Sequence, residues 1–115
     1  MSIIGNAITP GGGGGSSGAV KVMTQGQVSR VNAYMTATFD SSIAEYGFVE
    51  VHLFYNGADV GLNVCLVPAS STTFFIKALS DTFYFSLTPT TISITSYTTS
   101  WKALYVDVYA YHKAA

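Results

Sequence analysis

Charge is scarce in this sequence. Asp, Glu, Lys and Arg together make up 10% of its 115 residues, whereas an ordinary soluble domain has about 25%. The formal net charge is −1, and no two basic residues are adjacent, so the chain has no basic run that could follow a phosphate backbone. We therefore expect no nucleic-acid partner, and we expect a surface that other protein covers.

Cysteine, long apolar runs and a basic N-terminus are also lacking. The single cysteine, Cys65, cannot form a disulfide within the chain, so we expect a buried, inert thiol and a fold that does not need an oxidising compartment. No apolar run approaches the roughly 18 residues of a membrane-spanning helix, and no basic region precedes Lys21 as a signal peptide would require. These features predict neither a membrane partner nor a signal peptide.

Residue patterns that carry chemistry are missing as well. His52 and His112 are the only histidines, and neither belongs to a spacing typical of a metal site, although Glu50 should share the strand face of His52. The five glycines at residues 11–15 lack the Lys-Ser/Thr pair of a phosphate-binding loop. The sequence therefore predicts no catalytic residue, no metal site and no cofactor. An enzyme would need a histidine, a carboxylate and a nucleophile to meet in a pocket.

Alternating apolar residues are abundant, and residues 102–112 show them most clearly. Side chains alternate across an extended strand, so Leu104, Val106, Val108 and Ala110 should face a core. The opposite row contains Tyr105, Asp107, Tyr109 and Tyr111. Tyrosines combine an apolar ring with a hydroxyl, which suits a half-wet face or a contact with another molecule.

Similar patterns recur along residues 19–115. Strands are predicted at residues 19–24, 27–39, 47–55, 58–67, 72–79, 82–87, 91–97 and 102–112, with a break at Gln25-Gly26 and a hairpin turn at Asn56-Gly57. Residues 58–67 place Val60, Leu62, Val64 and Leu66 on one face, and residues 72–79 are apolar enough to be covered on both. About eight short strands without a helix predict an all-β, jelly-roll-like antiparallel β-sandwich.

Residues 1–18 differ from the rest and predict a separate N-terminal arm. Seven of the eleven glycines lie there. The Gly/Ser segment at residues 11–18 should behave as a flexible tether that spans roughly 15 Å. Ile3, Ile4 and Ile8 precede it, and a purely solvating tail would not need them. We expect residues 2–9 to dock on a partner or at a sheet edge.

Outward aromatic residues offer two alternatives for the β domain. Tyr105, Asp107, Tyr109 and Tyr111, with Trp101 nearby, would suit either a subunit interface or a platform on which sugar rings stack. Other outward rings are expected at Tyr34, Phe48, Phe54 and Tyr84. We favour the interface, and therefore a homo-oligomer, over the glycan platform.

The opening Met-Ser-Ile-Ile-Gly-Asn-Ala-Ile, the glycine run and the compact β domain rich in Ser, Thr and aromatic residues resemble small accessory virion proteins of tailed bacteriophages. The resemblance implies a non-enzymatic structural part of the particle, such as a capsid decoration or fibre protein, or a tail or baseplate component. Its partners would be other virion proteins, with a homotrimer favoured, and it would be assembled in the host cytoplasm. A module that recognises a cell-surface glycan or host receptor is the alternative.

Overall fold

A computed structural model describes residues 19–30, 33–34, 36–78, 80–96 and 104–113, and strands dominate these ranges. The described strands are β1 (Ala19–Arg30), β2 (Ala33–Tyr34), β3 (Thr36–Thr38), β4 (Tyr46–Tyr55), β5 (Ala58–Leu66), β6 (Thr72–Ala78), β7 (Asp81–Leu87), β8 (Thr91–Ser96) and β9 (Leu104–His112). They form two antiparallel sheets, so the predicted all-β sandwich is confirmed. The predicted arm, residues 1–18, lies outside the described residues.

The last strand occupies the middle of the larger sheet. The five-stranded sheet has the order β2-β1-β9-β4-β5, and the four-stranded sheet has the order β3-β8-β7-β6. Two of the strand pairs join strands that are far apart in the sequence, namely β1 with β9 and β3 with β8. The remaining neighbours include two local hairpins, β4–β5 and β6–β7. The tyrosine-bearing strand β9 is thus flanked by β1 and β4.

The core lies between the sheets and is built from alternate residues of facing strands, as the sequence pattern predicts. All four predicted inward residues of β9 are fully buried, and so are Val49, Val51 and Leu53 of β4. The opposite sheet contributes Phe83, Phe85, Leu87, Ile92 and Ile94. These side chains belong to a single hydrophobic cluster, so the outward side of each sheet remains free for another role.

The predicted break at Gln25-Gly26 is wrong, because β1 continues through these residues as a bulge against β9. Gln25 has φ 51°, and its N–H donates a 2.7 Å hydrogen bond to Asp107 Oδ1. This long-range bond satisfies the backbone N–H of Gln25, which the irregular ladder does not pair. The single strand predicted at residues 27–39 is also wrong, since β1 and β3 belong to different sheets.

The two predicted features around β5 and β6 have different outcomes. Asn56 and Gly57 have φ values of 52° and 83°, so the predicted hairpin turn between β4 and β5 is confirmed. The expectation that β6 is covered on both faces is wrong, because Thr73, Phe75 and Lys77 are exposed. The sheet of β6 has only one buried side.

Candidate functional site

Strands β9, β4 and β5 present a continuous surface on the outward side of the five-stranded sheet. We call this surface the outer face and define it by Tyr105, Asp107, Tyr109 and Tyr111 of β9, by Phe48, Glu50, His52 and Phe54 of β4, and by Leu62, Val64 and Leu66 of β5. The antiparallel register places Tyr111, Phe48 and Leu66 in one row across the sheet. Side chains in such a row contact their neighbours directly.

Aromatic side chains in this face pack on one another. The ring of Tyr111 stacks on Phe48 with 4.6 Å between centroids and 8° between planes. Tyr109 lies edge-on to His52 at 5.6 Å, and Lys21 Nζ of β1 lies 5.4 Å from the centroid of the Tyr109 ring. These rings are half-buried even in a single chain, so contacts within the sheet preorganise them.

A hydrogen-bonded network crosses the centre of the face. The hydroxyl of Tyr111 donates to Glu50 Oε1 at 2.8 Å. The other oxygen of Glu50 lies 3.1 Å from His52 Nε2, and Asp59 Oδ2 lies 2.9 Å from His52 Nδ1. Both ring nitrogens can donate at once only when the imidazole is protonated. Burial, the hydrogen bond to Glu50 and nearby negative charge raise the pKa of Tyr111 to about 12.

A second polar cluster joins β9 to β1. Lys21 Nζ lies 3.2 Å from Asp107 Oδ2, while Asp107 Oδ1 accepts the N–H of Gln25. The hydrogen bond to Asp107 is the main cause that raises the pKa of Lys21, and Tyr109 adds to it. The charged groups of the outer face are therefore paired with one another, which lowers the cost of covering them with a partner.

The most exposed apolar part of the face is a row that we call the β5 stripe: Leu62, Val64 and Leu66. Their exposed fractions are 51%, 47% and 76%. A bulge decides their direction. Leu53 pairs with Gly61 whereas Phe54 pairs with Asp59, so Val60 is an extra residue in β5. A regular ladder continuing from the hairpin would pair Val60 with Leu53 and turn these three side chains into the core.

The residues between them face β6 instead. A Cβ at Gly61 would lie 2.8 Å from Ile76 Cγ2, so only glycine fits this approach of the two strands. Asn63 Nδ2 donates a 2.7 Å hydrogen bond to the carbonyl of Phe75. Burial raises the pKa of the Cys65 thiol, and Cys65 is half-buried rather than fully buried as expected. Polar and small residues thus close the sandwich edge while aliphatic residues point outward.

The structure brings together most of the residues that the sequence predicts for a contact surface. Tyr105, Asp107, Tyr109 and Tyr111 share the outer face with Phe48 and Phe54. Tyr84 lies on the other sheet beside Phe75, with 6.1 Å between the two ring centroids. Trp101, Ile3, Ile4 and Ile8 fall outside the described residues, as does the side chain of Tyr34. Alternation in residues 58–67 predicts that Val60, Leu62, Val64 and Leu66 share one face, but it carries no signal that the last three are exposed.

The histidine of the outer face is paired with carboxylates, whereas the cysteine thiol lies away from it. His52 meets Glu50 as expected, and it also meets Asp59, but Cys65 points to the opposite side of the sheet from His52. Among the described residues, no three His, Cys, Asp or Glu side chains are grouped to hold a metal ion. The same residues contain no helix long and apolar enough to cross a membrane.

Comparison with known proteins gives no match: no family description, no curated protein and no solved structure is similar enough to this chain to be matched.

Proposed function

We propose that this chain is a non-enzymatic structural protein of a phage particle, attached through its N-terminal arm and assembled into oligomers through the outer face. The observation that carries the proposal is the β5 stripe beside the packed rings of β4 and β9. An edge strand that points Leu62, Val64 and Leu66 at solvent is an association hazard unless a partner covers it. The placement in a virion, assembled in the host cytoplasm, rests on the resemblance of sequence style.

Physical properties of the face favour another protein surface as its partner. Covering an exposed Leu or Val side chain contributes about 1.5–3 kcal/mol when burial is complete, so the three residues, which are already partly buried, contribute a few kcal/mol together. The acidic groups Glu50 and Asp107 already have partners within the face. A second sheet packed on this side would therefore gain apolar contact without leaving a charged group buried and unpaired.

A glycan or receptor platform is the alternative, and it would use the same rings. Sugar recognition combines ring stacking with free hydrogen-bonding groups. Here Asp107 is bonded to Lys21 and to the backbone of Gln25, while Glu50 is bonded to Tyr111 and His52. A sugar would have to displace these contacts, so they support the assembly role over the glycan role.

Sedimentation velocity on matched variants tests the assembly role. Val64→Lys places a charge in the β5 stripe, and Phe75→Lys places the same charge on the other sheet at nearly equal exposure, 47% against 46%. We expect the native chain to form oligomers, with a trimer favoured. Val64→Lys should weaken association at least tenfold, which is about 1.4 kcal/mol, and Phe75→Lys should leave it unchanged.

Two outcomes would count against this role. A native chain that stays monomeric at high concentration, or equal weakening of association by both lysine variants, would show that the outer face is not the interface. Glycan binding that Tyr109→Ala abolishes, with the oligomer intact, would support the alternative.

A further inference from the structure

The four-stranded sheet also has an outward side, and its chemistry differs from that of the outer face. The register of this sheet aligns one hydroxyl side chain from each strand in a single row: Thr36, Ser93, Ser86 and Thr73. Neighbouring strands are about 4.8 Å apart, so the row crosses the sheet over roughly 14 Å. We call this row, together with the neighbouring rings of Phe75 and Tyr84, the hydroxyl face.

The two aromatic rings of the hydroxyl face lie beside the row. Phe75 and Tyr84 are partners in the register of β6 and β7, and each is two residues, or about 7 Å, along its strand from the row. Their ring centroids are 6.1 Å apart with 58° between the planes, and both side chains are exposed. The apolar faces of two tilted rings are therefore open to a ligand that also reaches the hydroxyls.

The hydroxyls of this face keep their capacity for hydrogen bonding. The side chains of Thr73, Ser86 and Ser93 have no hydrogen-bond partner among the residues that the structure describes. The polar groups of the outer face, by contrast, are bonded to one another. A hydroxyl can both donate and accept, so a sugar would gain hydrogen bonds here without displacing an existing contact.

The charge and the apolar content of this side argue against other partners. Lys77 is the only charged residue among the exposed residues described in β3, β6, β7 and β8, so a charged ligand would meet little complementary charge. The exposed Val and Leu side chains of the described chain all lie on the other sheet. An apolar protein surface would leave the free hydroxyls buried and unpaired, which is unfavourable. Sugars combine dense hydroxyls with apolar ring faces, so they match both parts of the hydroxyl face.

We infer that the hydroxyl face is a binding site for a neutral glycan. Sugar rings stack on Phe75 and Tyr84, and adjacent sugar units exchange hydrogen bonds with Thr73, Ser86 and Ser93. This site is additional to the proposed function and lies on the opposite side of the sandwich from the outer face, so assembly through one face leaves the other open. An oligomer would present several copies of the site, and simultaneous engagement of several copies would strengthen attachment to a glycan-bearing surface.

Affinity electrophoresis of the full chain tests the site. Native gels contain a neutral polysaccharide (dextran, mannan, galactomannan, xyloglucan or hydroxyethyl cellulose) or the acidic polysaccharide polygalacturonate, and a gel without polysaccharide gives the reference mobility. Phe75→Ala removes one ring, Phe75→Tyr keeps it, and Ser86→Ala removes one hydroxyl of the row. Tyr109→Ala removes a ring of the outer face as the matched control. Far-ultraviolet circular dichroism verifies that each variant is folded.

We expect at least one neutral polysaccharide to retard the native chain. Phe75→Ala should weaken that binding at least about tenfold, as truncation of an aromatic residue at the centre of a binding site commonly does. Ser86→Ala should weaken it about fivefold, the ratio that corresponds to one neutral hydrogen bond. Phe75→Tyr and Tyr109→Ala should bind nearly as well as the native chain.

Three outcomes would overturn the inference. One is that no neutral polysaccharide retards the native chain, and another is that polygalacturonate alone does so. The third is loss of binding in Tyr109→Ala with binding intact in Phe75→Ala, which would place the glycan on the outer face. Sedimentation of the native chain decides the assembly role separately, because neither Phe75 nor Ser86 belongs to the outer face.

Discussion

A methyl group added at Gly61 tests how closely β5 approaches β6. The new Cβ would lie 2.8 Å from Ile76 Cγ2 and 3.3 Å from the carbonyl oxygen of Lys77. The oxygen belongs to the backbone, and Ile76 is only 2% exposed, so neither atom can move into solvent. Gly61→Ala should therefore push the two strands apart.

The size of the effect follows from overpacking in a closed site. Forcing an extra carbon into a packed core costs about 1–3 kcal/mol, and each kcal/mol lowers the melting temperature of a domain near this size by about 4–8 °C. Ile76→Leu removes the Cγ2 atom that causes the clash, and by itself it should cost below about 1.5 kcal/mol. In the Leu background, Gly61→Ala should cost about 1 kcal/mol less than in the native chain.

Urea unfolding of the four proteins in this double-mutant cycle measures both quantities. A Gly61→Ala variant as stable as the native chain would refute the close approach, and so would an equal cost in both backgrounds. Such a result would also mean that β5 has no bulge at Val60, since a regular ladder would turn Gly61 toward solvent, where an added methyl group meets no close neighbour. The outward direction of the β5 stripe would then be wrong.

Two further predictions concern titratable groups. The pKa of Tyr111 is raised to about 12, above the ordinary value of about 10. Its neutral hydroxyl therefore stabilises the fold fully below about pH 10, and this stabilisation is lost as the pH rises towards 12. In Tyr111→Phe, the free energy of unfolding measured in urea should change less with pH between about pH 9 and about pH 11, and an unchanged slope would contradict this. Burial raises the pKa of the Cys65 thiol, so a disulfide reagent at about pH 8 should label the folded chain roughly tenfold or more slowly than the urea-unfolded chain, and equal rates would show an accessible thiolate.

Local alternation in the sequence is enough to predict strand faces wherever a strand runs without irregularity. Residues 104–111 of β9 and 48–54 of β4 follow it: Val106 and Val51 are fully buried, while Tyr109 and Glu50 are opposite each other on the outward side. The two-residue period leaves only one way to bury the aliphatic row. The tyrosine row of the candidate site could therefore be predicted from residues 104–111 alone.

Contacts between distant strands decide what alternation cannot. The chain continues through Gln25 because Asp107, 82 positions later, accepts its N–H, and no local pattern encodes that partner. Pairing of Glu50, His52 and Asp59 likewise depends on the register of the β4–β5 hairpin. Such features arise from the register between strands, which side-chain periodicity does not specify once a bulge intervenes.

What the sequence by itself determined is the all-β class, the inward rows of the regular strands and the Asn56-Gly57 turn, because each depends on local backbone geometry. What only the tertiary structure decided is the direction of β5. Its aliphatic row would fill a core in a regular hairpin, yet one extra residue at Val60 reverses the alternation and leaves Leu66 76% exposed. The reversal is stable because Gly61 and Asn63 fit against β6. This contact joins the two sheets, so the sequence of one strand alone does not reveal it.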